Sequence, residues 1–292
     1  MGRLRRLDRE LVRRHLATSR AHAARIITAG RVKVDGRVMP KPASQIDPAQ
    51  AVVVAETPDA EYASRGGYKL AGALDILGKD APVIKGKRCL DAGASTGGFT
   101  DVLLRRGAAS VVAVDVGYGQ LRWNLQQDPR VEVHDRTNIR YLDPQTIGEP
   151  AQLVVGDLSF ISLKLVIPAL VRASTIDAEY LLMVKPQFEI GREHLGSGGV
   201  VRDPEDHFHT VIAVIAAAKE NGLGLQKVAA SPLPGPAGNV EYFVYLVRGA
   251  KMPAAEVVEQ MLRDAIAAGP AGQEQSDKIN QAGGRNSWVS GG

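Results

Sequence analysis

Apolar positions near the start of the chain recur at helical spacing: Leu4, Leu7, Leu11, Val12 and Leu16 repeat along one face with arginines between them. This predicts a first helix. Ser19 has the chemistry of an N-cap for a second helix over residues 20–29, whose Ala23, Ile26 and Ile27 share a face. Gly30 ends that helix, and the period changes from helical to alternating. Val32-Lys33-Val34 and Arg37-Val38 flank Asp35-Gly36, a pair suited to a tight hairpin turn. A further β segment is expected at residues 51–55, then a polar connector at 56–63. From about Lys85 to Arg248, short apolar runs alternate with amphipathic stretches, which predicts a mostly parallel sheet covered by helices. Its strands are expected at 88–91, 110–115, 131–133, 153–155 and 180–184. Residues 271–292, rich in Gly, Gln, Ser and Asn, are expected to be disordered. No internal repeat is present.

A length of 292 residues suits two domains, and 45% hydrophobic residues support an aliphatic core and exclude global disorder. The single cysteine, Cys89, excludes an internal disulfide and a cysteine-built zinc site, and fits a reducing cytoplasm. The opening MGRLRRLDRELVRR is charged from its third residue and lacks the apolar stretch of a signal peptide. The longest apolar run, 211–218, is far short of the roughly 18–20 residues of a spanning helix. A soluble cytoplasmic protein is the expectation. Net charge is +4, but residues 1–50 hold twelve Lys/Arg against four Asp/Glu, a net of +8, so the remainder carries −4. A basic module on a mildly acidic body suits a polyanionic partner.

The stretch LDRELVRRHLATSRAHAARIITAGRVKVDGRVMPKPASQI resembles the alpha-L, S-four-type RNA-binding fold. The Ser-Arg after the first helix, the Gly closing the second and the Val-x-Val-Asp-Gly hairpin carry the likeness. It implies a small α+β domain whose second helix and hairpin face RNA. Arg5, Arg6, Arg20, Arg25, Lys33 and Lys41 are then phosphate contacts, each adding salt-dependent, sequence-independent affinity.

A second motif lies at the end of the first strand of the larger region. Arg88-Cys89-Leu90-Asp91 runs into Ala92-Gly93-Ala94-Ser95-Thr96-Gly97-Gly98-Phe99-Thr100, and small residues there let a ligand approach the backbone closely. This is neither a Walker loop nor a clean Gly-x-Gly-x-x-Gly. Asp115, at the tip of the second strand, has the chemistry to accept hydrogen bonds from a ribose diol. On these features alone a nicotinamide dehydrogenase is a fair rival. The form Asp-x-Gly-x-x-x-Gly-Gly-Phe-Thr, however, resembles the first motif of S-adenosylmethionine methyltransferases, FtsJ-like ones above all. The resemblance implies cofactor contacts from Asp91, Gly93, Ser95, Thr96, Gly97, Gly98 and Phe99, with Asp115 on the ribose and Asp135 near the adenine. The expected product is S-adenosylhomocysteine, and no metal is expected.

Four polar residues stand at strand ends or loop edges where a core would not want them: Lys69, Asp157, Lys185 and Glu241. Lys185 ends an apolar strand. Desolvation of an amine there favours its neutral form, while nearby carboxylates orient it, which equips it to take a proton from a hydroxyl. The order Lys–Asp–Lys–Glu resembles the tetrad of FtsJ-type RNA 2'-O-methyltransferases, and with the basic module the whole chain is similar to the TlyA family. That likeness implies methylation of a cytidine 2'-hydroxyl in 16S or 23S ribosomal RNA, within ribosomal subunits, by a monomer with Lys185 as base. It divides the chain into an RNA-binding domain at 1–60, a linker at 61–66, a Rossmann-like α/β methyltransferase domain at 67–270 and a tail at 271–292. Some members carry Arg-x-Trp-Val between the domains, where this chain reads Glu61-Tyr62-Ala63-Ser64.

Other readings stay open at this point. One is a ribosome-binding assembly factor with an inactive enzyme domain. Another, a membrane-active hemolysin, lacks a spanning segment and a basic amphipathic helix. Residues 193–199 read as a mobile loop that closes over substrate, and 231–236 as a stiff loop fixing Glu241. His207 and His209 are expected to be solvated helix residues rather than metal ligands.

Overall fold

Leu7 and Leu11 lie one helical turn apart and are wholly buried, and they anchor the core of the first of two structural units, Met1–Glu61 and Tyr62–Gly292. The computed structural model describes residues 4–14, 16–17, 20–28, 30–54, 62–191, 195–235 and 237–269. The cap expected at Ser19 and the tail from 271 lie outside the described residues, as does the side chain of Arg25.

The first unit runs β1 (Arg5–Arg6), α1 (Leu7–Arg13), α2 (Arg20–Thr28), β2 (Val32–Val34), β3 (Arg37–Val38), β4 (Gln45–Ile46) and β5 (Val52–Val54). Strands β3, β2 and β5 form an antiparallel sheet, and β1 pairs with β4. Its core joins Leu7 and Leu11 to Ala23, Ile26 and Ile27 of α2 and to Val32, Val34 and Ile46. Asp35 and Gly36 both have positive φ, 47° and 81°, as a mirror-image hairpin turn requires. The helix expected from Leu4 starts only at Leu7. Arg5 and Arg6 instead pair with Ile46 and Gln45, and Leu4 is left 57% exposed.

Two acids, Asp8 and Glu10, are buried at the start of α1 under a canopy of arginines. Glu10 meets Arg13 at 2.5 Å and Arg14 at 2.9 Å, and Asp8 meets Arg6 at 2.9 Å and Arg20 at 3.1 Å. Arg5 also lies 3.7 Å from Glu10. Three of the expected phosphate contacts, Arg5, Arg6 and Arg20, are therefore partly neutralised within the fold. Lys33 and Lys41 are exposed. Hydrogen bonds from Arg13, with Arg14 behind it, hold Glu10 at about 2 against an ordinary 4.5. Arg6, then Arg20, hold Asp8 at about 2 against 3.8. The folded state binds these protons more weakly than the unfolded chain. Their contribution is thus complete above the ordinary carboxylate range and is lost as pH falls toward about 2. The unfolding midpoint of this unit is expected to hold steady above about pH 5 and to drop steeply below about pH 4. Glu10→Gln should lower it at neutral pH and flatten the acid slope. A thermal melt series across pH checks both, and an unchanged slope in the variant contradicts the assignment.

The second unit continues with α3 (Arg65–Leu77), β6 (Arg88–Ala92), α4 (Gly98–Arg105), β7 (Ser110–Val114), α5 (Trp123–Gln126), β8 (Val131–His134), β9 (Ala151–Gly156), α6 (Leu163–Arg172), β10 (Ser174–Val184), α7 (Pro186–Glu189), α8 (Pro204–Glu220), β11 (Leu223–Ala230), β12 (Tyr242–Arg248) and α9 (Ala255–Ala268). The seven strands lie in the order β11-β12-β10-β9-β6-β7-β8, and β12 alone runs against the others. Strands covered on both faces read as continuous apolar runs. In β10, Tyr180, Leu182 and Val184 face the core under α6, α8 and α9, while Leu181 and Met183 face α3 and α4.

Chain order reverses at β6, which has β7 on one side and β9 on the other. Crevices in such sheets open at that switch point, beyond the carboxyl ends of the strands. Because β12 is antiparallel, its amino end lies at this same edge. The residue entering β12 thus joins the residues leaving β6, β7, β9 and β10.

Candidate active site

Each candidate residue reaches the carboxyl edge for a topological reason. Asp91 is the penultimate residue of β6, Asp115 and Asp157 follow β7 and β9, Lys185 follows β10, and Glu241 precedes the reversed β12. Lys69 arrives on the second turn of α3. That helix approaches the glycine loop very closely: a Cβ on Gly98 would lie 2.7 Å from the Gly67 amide nitrogen. Gly67 of α3 and Gly98 of the loop therefore serve one contact, which sets Lys69 beside the loop. Tyr62 and Ala63 are tied to α4 as well. The Ala63 N–H donates to Asp101 Oδ2 at 2.8 Å, and the Arg105 guanidinium stands 4.9 Å from the Tyr62 ring centre.

The tetrad resolves into two ion pairs. Lys69 Nζ donates to Glu241 Oε2 at 2.5 Å, and Lys185 Nζ lies 2.6 Å from Asp157 Oδ1. Lys185 Nζ also donates to Ser159 Oγ at 2.9 Å. The Glu241 side chain is 1% exposed and sits behind Lys69, whereas that of Asp157 is 23% exposed. Lys69, Asp157 and Lys185 line one cavity of about 310 Å³ together with Arg65, Gly93, Ser95, Thr96, Gly98 and Phe99. Gly93, at φ +87°, faces the strand end next door, and a Cβ there would meet the Asp157 carbonyl oxygen at 2.7 Å.

A second cavity of about 490 Å³ shares Gly93, Ser95, Asp157 and Ser159 with the first. Asp115 stands on its wall. Its Oδ2 accepts the Ser95 N–H at 2.8 Å and its Oδ1 the Gly117 N–H at 2.7 Å, which fixes the carboxylate in place. Val116, Ile139, Leu158 and Ile161 give the rest of the wall an apolar character, relieved by Thr137 and Asn138.

Three expected cofactor residues sit elsewhere. Gly97 points inward, where a Cβ would meet Leu121 at 2.8 Å. Asp135 accepts the Gly119 N–H at 2.8 Å and is absent from the cavity walls. Asp91 is wholly buried beneath the loop; Thr100 Oγ1 donates to its Oδ2 at 2.7 Å, and its Oδ1 has no hydrogen-bond partner among the described residues. Burial, above all, pushes the Asp91 carboxyl up to about 7. The orphaned Oδ1 leaves a hydrogen-bond acceptor beneath the loop.

Several residues escape local sequence reading. Phe160 is 91% exposed at φ +63°, a conformation rare for an aromatic, and its ring meets Phe188 at 5.1 Å. Glu189 accepts from Ser162 Oγ at 2.5 Å and from the Leu163 N–H at 2.6 Å, tying the turn after Lys185 to the start of α6. Burial raises the Glu189 carboxyl. Asn239 clamps part of the loop expected to be mobile: its Oδ1 accepts the Val201 N–H at 2.9 Å and its Nδ2 donates to the Gly199 carbonyl at 3.0 Å. Residues 193 and 194 of that loop lie outside the described residues. The expected stiff loop is anchored by the Ser231 N–H donating to the Glu241 carbonyl at 2.8 Å.

His207 corrects an expectation. It is 1% exposed rather than solvated, its Nε2 bonds the Val201 carbonyl at 3.1 Å, and burial lowers its basicity. His209 is exposed. Among the described residues no cluster of three or more His, Cys, Asp or Glu could hold a metal ion, and no helix is long and apolar enough to cross a membrane.

Residues 62–248 match the model of the FtsJ-like methyltransferase family, and residues 5–52 match the S4 domain. The chain is 51% identical, over 92% of its length and 100% of the relative's, to the 16S/23S rRNA (cytidine-2'-O)-methyltransferase TlyA of Mycobacterium tuberculosis. It is 34% identical to Hemolysin A of Brachyspira hyodysenteriae over 83% of this chain and 99% of that one. Among solved structures, a candidate hemolysin from Streptococcus thermophilus aligns with TM-score 0.68 and 33% identity, covering 96% of this chain and 100% of that chain. With its S4 module, its mostly parallel sheet and its glycine loop, the chain belongs to the TlyA family of FtsJ-like methyltransferases.

Proposed function

We propose that this protein methylates the ribose 2'-hydroxyl of a cytidine in ribosomal RNA, 16S, 23S or both, in the cytoplasm, using S-adenosylmethionine. The observation that carries the reading is the meeting of Lys69, backed by Glu241, with the Lys185–Asp157 pair in a cavity that adjoins the Asp115 pocket. The fit of the cofactor rests on chemistry already described. Asp115 is placed for a ribose diol, the walls at Val116, Ile139, Leu158 and Ile161 for a purine, and the loop at Gly93–Ser95 above Asp91 for an amino-acid end with its ammonium. When bound, S-adenosylmethionine supplies an already activated methyl group, so the protein's task is to position it and to manage one proton.

Lys185 manages that proton. Besides Cε, its nitrogen has three positions, and two of them are directed to Asp157 and Ser159. To act as base, the Lys185 ammonium first gives a proton to solvent by way of the partly exposed Asp157; the amine that remains donates to Asp157 and Ser159 and turns its lone pair to the 2'-hydroxyl proton. Once taken, the proton can pass to solvent through the half-buried Asp157. Lys69, held by Glu241, stands in the same cavity as a fixed positive charge where the oxygen becomes negative. Phe160 offers an exposed ring on which the target base can stack.

Ligand binding is the first check. S-adenosylmethionine or S-adenosylhomocysteine at about 100 Kd should stabilise the protein by about 2.7 kcal/mol, while NAD should not. Primer extension at low nucleotide concentration, on rRNA from cells with and without the protein, should then reveal a stop that depends on it. Stabilisation by NAD alone, or identical rRNA in both strains, would overturn the reading.

A further inference from the structure

Exposed aromatic and arginine side chains border the Asp115 pocket. Thr137, Asn138 and Ile139 line that pocket, and the residues flanking these three in sequence, Arg136, Arg140 and Tyr141, are all exposed. Tyr118, from the loop after β7, is 71% exposed, and so is Tyr141. The Arg136 guanidinium stands 4.1 Å from the Tyr118 ring centre, and that of Arg140 stands 5.3 Å from the Tyr141 ring centre. The backbone holds the two loops together. The Arg136 N–H donates to the Gly117 carbonyl at 2.8 Å and the Thr137 N–H to the Asp115 carbonyl at 2.9 Å.

Burial and folding do not account for this arrangement. Two tyrosines at this exposure add little to a core, and neither Arg136 nor Arg140 forms an ion pair with a carboxylate among the described residues. Arg136 is also held at φ +54°. Of the four described non-glycine residues with positive φ, Asp35 forms the hairpin turn, and the other three, Ser95, Arg136 and Phe160, lie in the loops around the two cavities. Backbone strain of this kind persists where the surroundings impose it, and it gathers at binding sites. Chemically, the surface offers flat π faces beside cations that no anion among the described residues neutralises. Unstacked nucleobases with their phosphates match both features, since bases stack on aromatic rings and on guanidinium planes.

We propose that Tyr118, Arg136, Arg140 and Tyr141 form a second RNA-contacting surface, on the catalytic unit itself, which takes unpaired nucleotides next to the one that is methylated. The proposal rests on the RNA methyl-transfer reading above. It divides recognition between the basic amino-terminal module, which contributes general affinity, and this surface, which presents the flanking strand to the pocket.

The test uses the full-length chain. Tyr118→Ala, Arg140→Ala and the double Tyr118→Ala/Tyr141→Ala are compared with Tyr118→Phe, which keeps a ring. Affinity for an rRNA fragment is measured by filter retention, independently of methylation, beside S-adenosylhomocysteine affinity and the thermal midpoint. Each single alanine variant should weaken RNA binding on the order of tenfold, and the double by more. Tyr118→Phe should stay within about twofold of the parent, and cofactor affinity and midpoint should not move. Arg140→Ala should also reduce the salt slope of binding by about 0.7–0.9. RNA affinity within about twofold of the parent in the double variant would overturn the proposal. So would a loss seen on intact ribosomal subunits but absent on protein-free RNA, which would assign the surface to a ribosomal protein. Variant-sensitive RNA binding by a parent that transfers no methyl group would support the surface and sink the catalytic reading instead.

Discussion

Lys185→Ala is expected to slow methyl transfer by on the order of 10²–10⁴-fold, the usual contribution of a positioned general base, with S-adenosylmethionine affinity within about twofold of the parent. Folding should survive, because the carboxylate left behind is that of Asp157, whose side chain is 23% exposed and open to water. Lys185→Arg sharpens the test. A guanidinium preserves the charge and can keep the contacts to Asp157 and Ser159, yet it does not give up its proton at working pH. If Lys185 takes the hydroxyl proton, the arginine variant should be nearly as slow as alanine. Single-turnover rates with saturating cofactor separate the step from binding and product release. Activity within about tenfold of the parent in Lys185→Ala would remove this residue from the chemistry, and full activity in Lys185→Arg would make it a charge that orients substrate instead.

The sequence made the edge of the sheet legible because strand-end residues are local features. Apolar runs ending in Asp91, Asp115 and Lys185 and small residues after β6 needed no knowledge of the fold. The hairpin was equally plain, since Asp35-Gly36 supplies the turn by itself. What stayed hidden depends on long-range pairing. Arg5 and Arg6 fit a helical period until Gln45 and Ile46 take up their backbone. Asp8 and Glu10 look like ordinary helix acids with arginines close by in sequence, and only folding adds Arg20 to Asp8 across twelve residues. Gly67 and Gly98 are separated by a strand, and their contact explains one glycine of each Gly-Gly pair. His207 reads as a solvated helix residue, but its bond to the Val201 carbonyl holds it in the core. Thr137, Asn138 and Ile139 carry no motif, and the loop path alone sets them in the pocket wall.

The same dependence on folding governs the other large effect. Glu241→Ala is expected to destabilise the protein by about 3–5 kcal/mol, because the Lys69 ammonium would remain buried without its partner. The pair spans 2.5 Å with side-chain exposures of 7% and 1%, so little solvent can take the place of the lost carboxylate. A destabilisation of that size lowers the melting midpoint by roughly 10 °C in a unit of this size. Stability and catalysis can then be separated by removing both charges. Lys69→Met/Glu241→Leu replaces the buried pair with apolar side chains of similar bulk, and such replacements are often neutral or stabilising. The double variant should therefore regain most of the lost midpoint. It should still transfer methyl groups poorly, because the cavity has lost the fixed positive charge that faces the developing oxyanion. A parent-like midpoint in Glu241→Ala would mean that Lys69 finds another partner or sheds its proton. Restored methyl transfer in the double variant would mean that the Lys69–Glu241 pair serves the fold alone, leaving the chemistry to Lys185 and Asp157.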